Sequence, residues 1–365
     1  MRERAPYRCF FYLTMINAIL GRFSTDMGVD LGTTSTLVYI KDKGIVINEP
    51  SLAVINTRSD QIVAVGEEAK KMLGKTPPHL VISRPIENGV ISDFEVTEKM
   101  LRYFIEKIHH DSWTLVPRPR VVIAIPMDVT EVERKAVEDA TLAAGAREVS
   151  LIESPMAAAI GSRLPIQEPN GLFIVDIGGG TIEIALISLG GIVTRKTIRS
   201  AGDDMTVSII QYIRENFNLL IGEKTAESVK IKIGSVLPLR EPMEMRIQGR
   251  DLFSGLPKEL AITDAHVRDA IEKQVRQVIN TIKQTVELSP PELVADMYRS
   301  GILLTGGGSL LRGLDKRIYN ETQIPVSLAD DPITAVVRGT GIVLEDLDLL
   351  GDVLLPPAQD ISSRR

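Results

Sequence analysis

The chain has 365 residues, of which 44% are hydrophobic and 25% charged, and this composition is typical of a soluble globular protein. A formal net charge of −6 gives no indication of a nucleic-acid-binding surface, and a single cysteine, Cys9, excludes a disulfide framework and a cysteine-based zinc site. The four histidines lack metal-ligand spacing, so we interpret them as surface or helix residues. The length predicts two domains, each able to bury a core.

Residues 1–26 differ from the rest of the chain. Three arginines precede an apolar stretch at 9–20 that resembles a signal peptide, but polar residues interrupt it and no clear small-residue cleavage site follows. The stretch is also too short to span a bilayer. From Met15 to Phe23 the apolar residues fall at helical spacing, which is typical of a helix lying in a membrane interface. A disordered tail, or translation from a true start at Met15 or Met27, is the alternative.

The first lobe, which we assign to residues 27–165, begins with two apolar runs around a turn at 30–36, the pattern of a β-hairpin. Short apolar runs separated by turns follow. Apolar residues at helical spacing then predict helices over 67–73 and 97–108.

A parallel strand–helix–strand unit completes this lobe. Residues 121–125 form an apolar run rich in β-branched side chains, which is typical of a buried parallel strand. Thr130 and Glu133 have the spacing of a capping box, so a helix is expected to begin there and to stop at Gly145. A further apolar run at 149–152 follows that helix. The order of these elements predicts an α/β architecture.

The second lobe, residues 166–350, repeats this plan, and a polar tail at 351–365 follows it. The predicted elements of this lobe are a hairpin over 172–194, a helix over 204–217, a more polar insertion over 221–260, a long amphipathic helix over 264–288 and a strand over 301–304. Because each lobe begins with a similar hairpin, the sequence predicts two duplicated α/β lobes with a nucleotide cleft between them.

Three glycine-rich segments, each preceded by a short apolar run, predict a phosphate-binding site. The segments are Asp30-Leu31-Gly32-Thr33-Thr34-Ser35-Thr36, Asp176-Ile177-Gly178-Gly179-Gly180-Thr181 and Thr305-Gly306-Gly307-Gly308-Ser309. A tight turn of Gly, Thr and Ser directs several backbone N–H groups to one point and lets phosphate oxygens approach without Cβ clashes. A single turn of this kind would be weak support, whereas two matched turns and a third glycine triplet are specific.

These segments resemble the phosphate-1, phosphate-2 and adenosine motifs of the actin/sugar-kinase/Hsp70 superfamily. Within it, the chain resembles the MreB/Mbl family of bacterial actin-like rod shape-determining proteins from about Val29 to Leu347. Further matching stretches lie at 44–51, 155–161, 220–227 and 290–293. The resemblance implies an actin-like fold with subdomains IA, IB, IIA and IIB, in which IB is inserted at about 50–95 and IIB at about 204–260.

The same resemblance implies ATP and Mg²⁺ bound between the two halves. It also implies assembly with copies of itself into filaments on the inner face of the cytoplasmic membrane, where such filaments organise cell-wall synthesis. The expected localisation is cytoplasmic and membrane-associated. The elongation and cell-wall synthesis machinery is the expected partner, and nucleic acid is not.

Site residues follow from the resemblance motif by motif. Those placed at the β- and γ-phosphates are Thr33, Thr34 and Ser35 on one side and Gly178, Gly179 and Gly180 on the other. Those placed along ribose and adenine are Glu223, Lys224, Thr225 and Ala226, and those at the nucleoside and α-phosphate are Gly306, Gly307, Gly308 and Ser309. Asp30 and Asp176 are placed to hold Mg²⁺ through waters, since this small cation keeps its hydration shell. For Asp30, a turn residue that caps its own hairpin is the alternative.

One departure from the family pattern concerns hydrolysis. The family usually carries two consecutive glutamates before Pro-Met-Ala, and the second orients the water that attacks the γ-phosphate. Here the pair is Glu153-Ser154, and serine is a poor general base near neutral pH. Glu153 could substitute only if the strand end shifted, because adjacent side chains of a strand point oppositely. The candidate catalytic residues are therefore Ser154, Glu153 and Asp176, and we expect nucleotide binding with slow hydrolysis.

A second candidate membrane element surrounds Trp113, the single tryptophan, which lies with Leu115 and Val116 ahead of an arginine-containing segment. In the family that the chain resembles, this loop carries exposed apolar residues that insert into the bilayer. Tryptophan near arginine is typical of a membrane interface. Packing of Trp113 beneath the loop is the alternative.

Two rival functions share this fold. A sugar or acetate-type kinase would need a substrate pocket with a catalytic base, which the sequence does not locate. An Hsp70-type chaperone ATPase would need a further peptide-binding domain, and the chain is expected to end shortly after a last helix at 345–350. A filament protein that is also a nucleotide switch is the leading hypothesis.

Overall fold

A computed structural model describes residues 24–110 and 118–358. The predicted membrane stripe Met15–Phe23 and the loop containing Trp113 lie outside the described residues. The chain divides into two compact units. The first comprises the residues up to Glu153 and those from Val337 onward, and the second is Ser154–Val336.

Among the described residues, the first unit has ten strands and three helices before the chain enters the second unit. In chain order these elements are β1 (Met27–Leu31), β2 (Ser35–Ile40), β3 (Gly44–Pro50), β4 (Ala53–Asn56), β5 (Gln61–Val65), α1 (Glu67–Met72), β6 (Leu80–Ser83), β7 (Ile86–Glu87), β8 (Val90–Ile91), α2 (Phe94–His109), β9 (Arg120–Ile125), α3 (Glu131–Ala143) and β10 (Glu148–Glu153).

The second unit begins with a helix that follows β10 directly. Its elements are α4 (Ser154–Gly161), β11 (Leu172–Ile177), β12 (Ile182–Ser188), β13 (Gly191–Ile198), α5 (Gly202–Phe217), β14 (Leu219–Leu220), α6 (Glu223–Ile233), β15 (Glu244–Asp251), β16 (Pro257–Thr263), α7 (Asp264–Glu287), α8 (Pro291–Ser300), β17 (Ile302–Thr305), a 3₁₀ turn (Gly307–Leu310), α9 (Leu314–Thr322) and β18 (Val326–Leu328). The chain then returns to the first unit through α10 (Ala335–Glu345), α11 (Leu347–Leu350) and a 3₁₀ turn (Gly351–Val353).

The two main sheets follow one plan. Their strand orders are β3-β2-β1-β9-β10 and β13-β12-β11-β17-β18. In each, three antiparallel strands are followed by two that run parallel to the central strand. The predicted α/β class and the repeated hairpin-plus-parallel-strand scheme are confirmed. Parallel pairing requires helical crossovers that cover the sheet, and β9 is accordingly buried, with Val122 and Ile123 fully inaccessible.

Local sequence signals set several helix boundaries. The Asp93 carboxylate accepts a hydrogen bond from the Val96 N–H, so α2 begins three residues before the predicted position. Thr130 and Glu133 form the predicted capping box, in which the Glu133 N–H donates to Thr130 Oγ1 at 3.2 Å and the Thr130 N–H donates to Glu133 Oε2 at 2.6 Å. The helix α3 therefore begins where the sequence indicates.

Two segments contain more regular structure than the sequence predicted. The insertion at 221–260, expected only to be polar, contains α6 and most of a three-stranded sheet in the order β14-β15-β16. The sequence did not predict the helix α10. Its Gly341 lies against the Tyr39 ring, and a Cβ there would lie 2.6 Å from ring carbons. This packing assigns residues from 337 onward to the first unit, whereas the sequence placed them in the second lobe.

The start of the described chain is attached to the first sheet. Ser24 Oγ accepts a hydrogen bond from the Arg118 N–H at 2.7 Å, and the Thr25 N–H donates to His109 Nε2 at 3.1 Å. Asp26 accepts from the Arg120 N–H and pairs with Arg147 at 2.9 Å. Residues 24–26 therefore belong to the folded body. Within the described ranges, no helix is both long enough and apolar enough to cross a bilayer.

Thr130→Ala should lower the free energy of unfolding by about 1 kcal/mol, because it leaves the Glu133 N–H without its side-chain acceptor. Urea unfolding followed by circular dichroism measures the change. Thr130→Ser keeps the hydroxyl and should unfold at nearly the wild-type midpoint. Identical midpoints for the alanine variant and the wild type would show that the capping box does not stabilise the protein.

Candidate functional site

The glycine turn between β11 and β12 is closed by its own backbone and by the start of α5. The Gly178 N–H donates to the Thr181 carbonyl at 2.9 Å. The Gly202 N–H donates to the Gly178 carbonyl at 3.2 Å, and the Asp203 N–H donates to the Gly179 carbonyl at 2.9 Å. In a trans peptide the C=O and the following N–H point in opposite directions. The N–H groups of Gly179 and Gly180 are therefore directed away from α5, as an anion-binding turn requires.

Asp176 lies at the end of β11, next to this turn. Its register partner on the parallel strand β17 is Thr305, whose Oγ1 donates to Asp176 Oδ1 at 3.0 Å. The carboxyl is buried, and desolvation raises its pKa to about 6, although the Thr305 hydrogen bond opposes that shift. A buried carboxylate with a raised pKa is stabilised in its charged form by a cation. Asp176 therefore fits the metal-holding position that the sequence predicted.

The third glycine segment follows β17 and packs on the end of β11. Gly306 has φ +77°, and a Cβ there would lie 2.6 Å from Asp176 Oδ1. At Gly308 a Cβ would lie 3.1 Å from the Ile177 carbonyl oxygen. Ser309 Oγ donates to the Gly306 carbonyl at 2.6 Å and closes the turn. These close approaches explain why glycine occupies both positions.

The segment predicted to lie along ribose and adenine forms the first turn of α6. Glu223 and Lys224 are exposed, Thr225 is half-buried and Ala226 is buried. The far end of α6 is joined to the chain beyond the third glycine segment, because Arg312 Nη1 donates to the Ile231 carbonyl at 3.1 Å. The second unit thus carries Asp176 and all three of its predicted cofactor segments.

In the first unit, the turn between β1 and β2 is stabilised from outside by Ser51 and Gly89. Ser51 Oγ donates to the Gly32 carbonyl at 2.6 Å, and the Ser51 N–H donates to the Thr34 carbonyl at 3.1 Å. The Gly89 N–H donates to Thr33 Oγ1 at 2.9 Å. These contacts fix the shape of the turn and leave the Thr34 side chain exposed.

The remaining predicted residues of the first unit lie at strand ends. Asp30 is half-buried near the end of β1, and Ser35 is the half-buried first residue of β2. Glu153 ends β10 and Ser154 begins α4, with no loop between them. Ser154 is buried and Glu153 is half-buried. The division between the two units falls at this peptide bond.

Several supporting contacts could not be predicted from the sequence, although Thr305 and Ser51 lie in stretches that the sequence singled out. Ser51, Gly89 and Thr305 bond to predicted site residues from positions far along the chain. For Thr305 a signal existed, since it ends a predicted parallel strand as Asp176 does. Ser51 and Gly89 carried no signal of this kind.

The described carboxylates limit the kind of metal site that the protein can form. Within 24–110 and 118–358, no three His, Cys, Asp or Glu side chains are grouped as a metal site. Mg²⁺ keeps several waters and uses one or two protein carboxylates together with phosphate oxygens. The buried Asp176 fits such a role, whereas an all-protein cage of the calcium type does not fit.

Comparison with solved structures identifies the class. MreB5 of Spiroplasma citri bound to AMPPNP is 35% identical to this chain, with a TM-score of 0.85 over 90% of this chain and 98% of that one. The MamK double helical filament gives a TM-score of 0.75 over 88% of this chain and 99% of its own at 22% identity, which is a likeness in fold alone. The two duplicated sheets therefore form an actin-like fold.

Sequence comparison then identifies the family. The sequence model of the MreB/Mbl protein family matches residues 24–352. The cell shape-determining protein MreB of Escherichia coli is 46% identical over 343 residues, which cover 92% of this chain and 98% of the relative. The cell shape-determining protein Mbl of Bacillus subtilis is 44% identical over 328 residues, which cover 90% and 98% respectively. The chain belongs to the MreB/Mbl family.

The raised pKa of Asp176 predicts a specific pH dependence in the nucleotide-free protein. The folded-state pKa of about 6 lies above the ordinary 3.8, so the folded state binds this proton more tightly than the unfolded chain does. The stability contributed by the protonated carboxyl is complete below about pH 4 and is lost as the pH rises through about 6. Asp176→Asn does not titrate and should be more stable than the wild type near neutral pH by on the order of 3 kcal/mol, with the advantage vanishing near pH 4.

Urea unfolding across this pH range measures the difference. A stability advantage of Asp176→Asn that stays the same at every pH would contradict the raised pKa of Asp176 in the folded state.

Proposed function

We propose that this protein binds ATP with Mg²⁺ and polymerises into actin-like filaments on the inner face of the cytoplasmic membrane, where they organise cell-wall synthesis. The observation that carries the proposal is the arrangement in the second unit, where two glycine segments meet at the buried Asp176 carboxylate. The related MreB5 with bound AMPPNP and with bound ADP supports the nucleotide, and the MamK filament supports polymerisation.

Each unit would contribute to nucleotide binding in a different way. In the second unit, the N–H groups of Gly179 and Gly180 would donate hydrogen bonds to phosphate oxygens. Gly306 and Ser309 would lie next to the nucleoside. In the first unit, Thr33, Thr34 and Ser35 would offer hydroxyl and backbone donors to the β- and γ-phosphates. Asp176, with Asp30, would hold Mg²⁺ through waters, and the ion would neutralise phosphate charge when bound.

Hydrolysis is proposed to be slow, because the position expected to orient water carries Ser154. A hydroxyl can donate to or accept from water, but it is not a base near neutral pH. The half-buried Glu153 carboxylate precedes it at the end of β10, where consecutive side chains point to opposite faces. Nucleotide retention and nucleotide turnover are therefore separate properties of this chain.

Ser154→Glu should accelerate single-turnover ATP hydrolysis by about tenfold or more, since a positioned general base contributes at least that much. Ser154→Ala is the control and should stay as slow as the wild type, because it removes the hydroxyl without adding a base. Rapid-quench measurement of phosphate release gives the rates. A wild type that already hydrolyses as fast as Ser154→Glu would refute the proposed role.

Membrane attachment is proposed for the apolar stripe Met15–Phe23 and for Trp113. Ser24 and Asp26 bond to Arg118 and Arg120, just beyond the end of the Trp113 segment. Residues 24–26 and the described chain from Arg118 to Arg120 are thus bonded to each other beside the first sheet. A truncation that spares the folded body must end at residue 23.

Electron microscopy of the full chain with Mg-ATP and anionic lipid vesicles tests filament formation and membrane attachment together. We expect filaments on the vesicles for the wild type. Removal of residues 1–23 combined with Trp113→Ala should leave filaments in solution and abolish their co-sedimentation with vesicles. Absence of polymer from the wild type, with phosphate transfer to a sugar, would favour the kinase alternative.

A further inference from the structure

Lys230 on α6 points at the first turn of α5. Its Nζ donates to the Gly202 carbonyl at 2.7 Å and to Thr206 Oγ1 at 2.9 Å, and it pairs with Glu227 at 2.6 Å. Only 13% of the Lys230 side chain is exposed. Three oxygen partners therefore hold this ammonium group in one position.

The partners of Lys230 lead directly to the glycine turn between β11 and β12. The Gly202 carbonyl accepts from Lys230, while the Gly202 N–H donates to the Gly178 carbonyl at 3.2 Å. The Gly202 backbone is closely packed both against the glycine turn and against Lys230. A Cβ on Gly202 would lie 3.2 Å from the Gly178 carbonyl oxygen and 3.5 Å from Lys230 Nζ. A shift of the first turn of α5 would therefore change the hydrogen bonds of the glycine turn.

Thr206 and Glu227 complete the connection between the two helices. Thr206 is buried on α5, and its Oγ1 lies 2.5 Å from Glu227 Oε2. Glu227 thus balances the charge of Lys230 and bonds to the same hydroxyl. A partly buried ammonium group with a carboxylate and two further acceptors is a strong, directional link between helices.

We propose that Lys230 is a positioning residue for the 178–180 turn. It fixes the first turn of α5, whose N–H groups hold the carbonyls of Gly178 and Gly179. Those carbonyls in turn set the direction of the N–H groups of Gly179 and Gly180. The consequence for phosphate affinity rests on the proposed nucleotide function, whereas the coupling between Lys230 and the turn does not.

Hydrogen exchange in the nucleotide-free full chain tests the coupling by itself. The N–H groups of Gly202 and Asp203 have no acceptor within α5, so their protection depends on the turn carbonyls. Lys230→Met should accelerate their exchange by about tenfold, the effect of losing hydrogen bonds to a charged group. Lys232→Met, an exposed lysine on the same helix, should leave exchange unchanged. Equal exchange in Lys230→Met and the wild type would overturn the inference.

Titration with ATP, ADP and adenosine tests the consequence. Lys230→Met should weaken ATP and ADP binding by about tenfold and adenosine binding by less than about twofold, because only phosphates use the turn. Equal losses for all three ligands would show that Lys230 contacts the nucleoside instead, and would overturn the positioning role. A wild type that binds none of them would refute the proposed function, while the exchange result still decides the coupling.

Thr206→Val provides a second variant of nearly the same shape. It removes the hydroxyl that bonds to Lys230 and Glu227 but keeps the ammonium group, so it should change exchange and phosphate affinity in the same direction by a smaller factor. Thermal unfolding of each nucleotide-free variant controls for loss of the fold. If Thr206→Val weakened the binding of adenosine but left the affinities for ATP and ADP unchanged, the proposed coupling from Lys230 through α5 to the glycine turn would be contradicted.

Discussion

The close approach of Gly306 to the Asp176 carboxylate is the constraint on which the second unit depends. Parallel pairing of β11 with β17 places Asp176 opposite Thr305, the last residue of β17, so the residue that follows the strand must pass beside the carboxyl. Only a residue without Cβ, at φ +77°, fits there. The same approach buries the carboxyl, raises its pKa and brings the third glycine segment to the carboxyl ends of the parallel strands. Ligand sites of open α/β sheets characteristically lie at that edge.

Helix packing extends this constraint to the glycine turn. The carbonyls of the turn are bonded to the first N–H groups of α5, which have no partner within their own helix. Strand pairing therefore fixes Asp176, and helix capping fixes the turn beside it. The proposed nucleotide function would use both, because a preorganised phosphate site needs no rearrangement when its ligand binds.

Much of this architecture could be predicted from local sequence. The β-branched run of β9 and the capping box of α3 are signals contained within a few residues. The apolar periodicity of α7 is sustained over 24 residues and allowed its limits to be predicted closely. Each of these signals acts between near neighbours, so a single sequence is sufficient to detect it.

Other elements depend on distant partners and could not be predicted in this way. The helix α10 contains two glycines, which lower helix propensity, and Gly341 is explained only by the Tyr39 ring packed against it. Thr305 reaches Asp176 across 129 positions of sequence, and Ser51 reaches Gly32 across 19. The glycine segments themselves were visible in the sequence, but the hydrogen bonds that hold them were not.

The two duplicated turns differ in what mutation can change. The turn after β1 carries the side chains of Thr33, Thr34 and Ser35, so a single codon change can alter its donors while Ser51 keeps its backbone in shape. The turn after β11 has no side chains at Gly178, Gly179 and Gly180, and its donors can be altered only by moving the backbone. Single mutations can therefore change the hydrogen-bond donors of the first-unit turn readily, whereas those of the second-unit turn can hardly be changed by substitution alone.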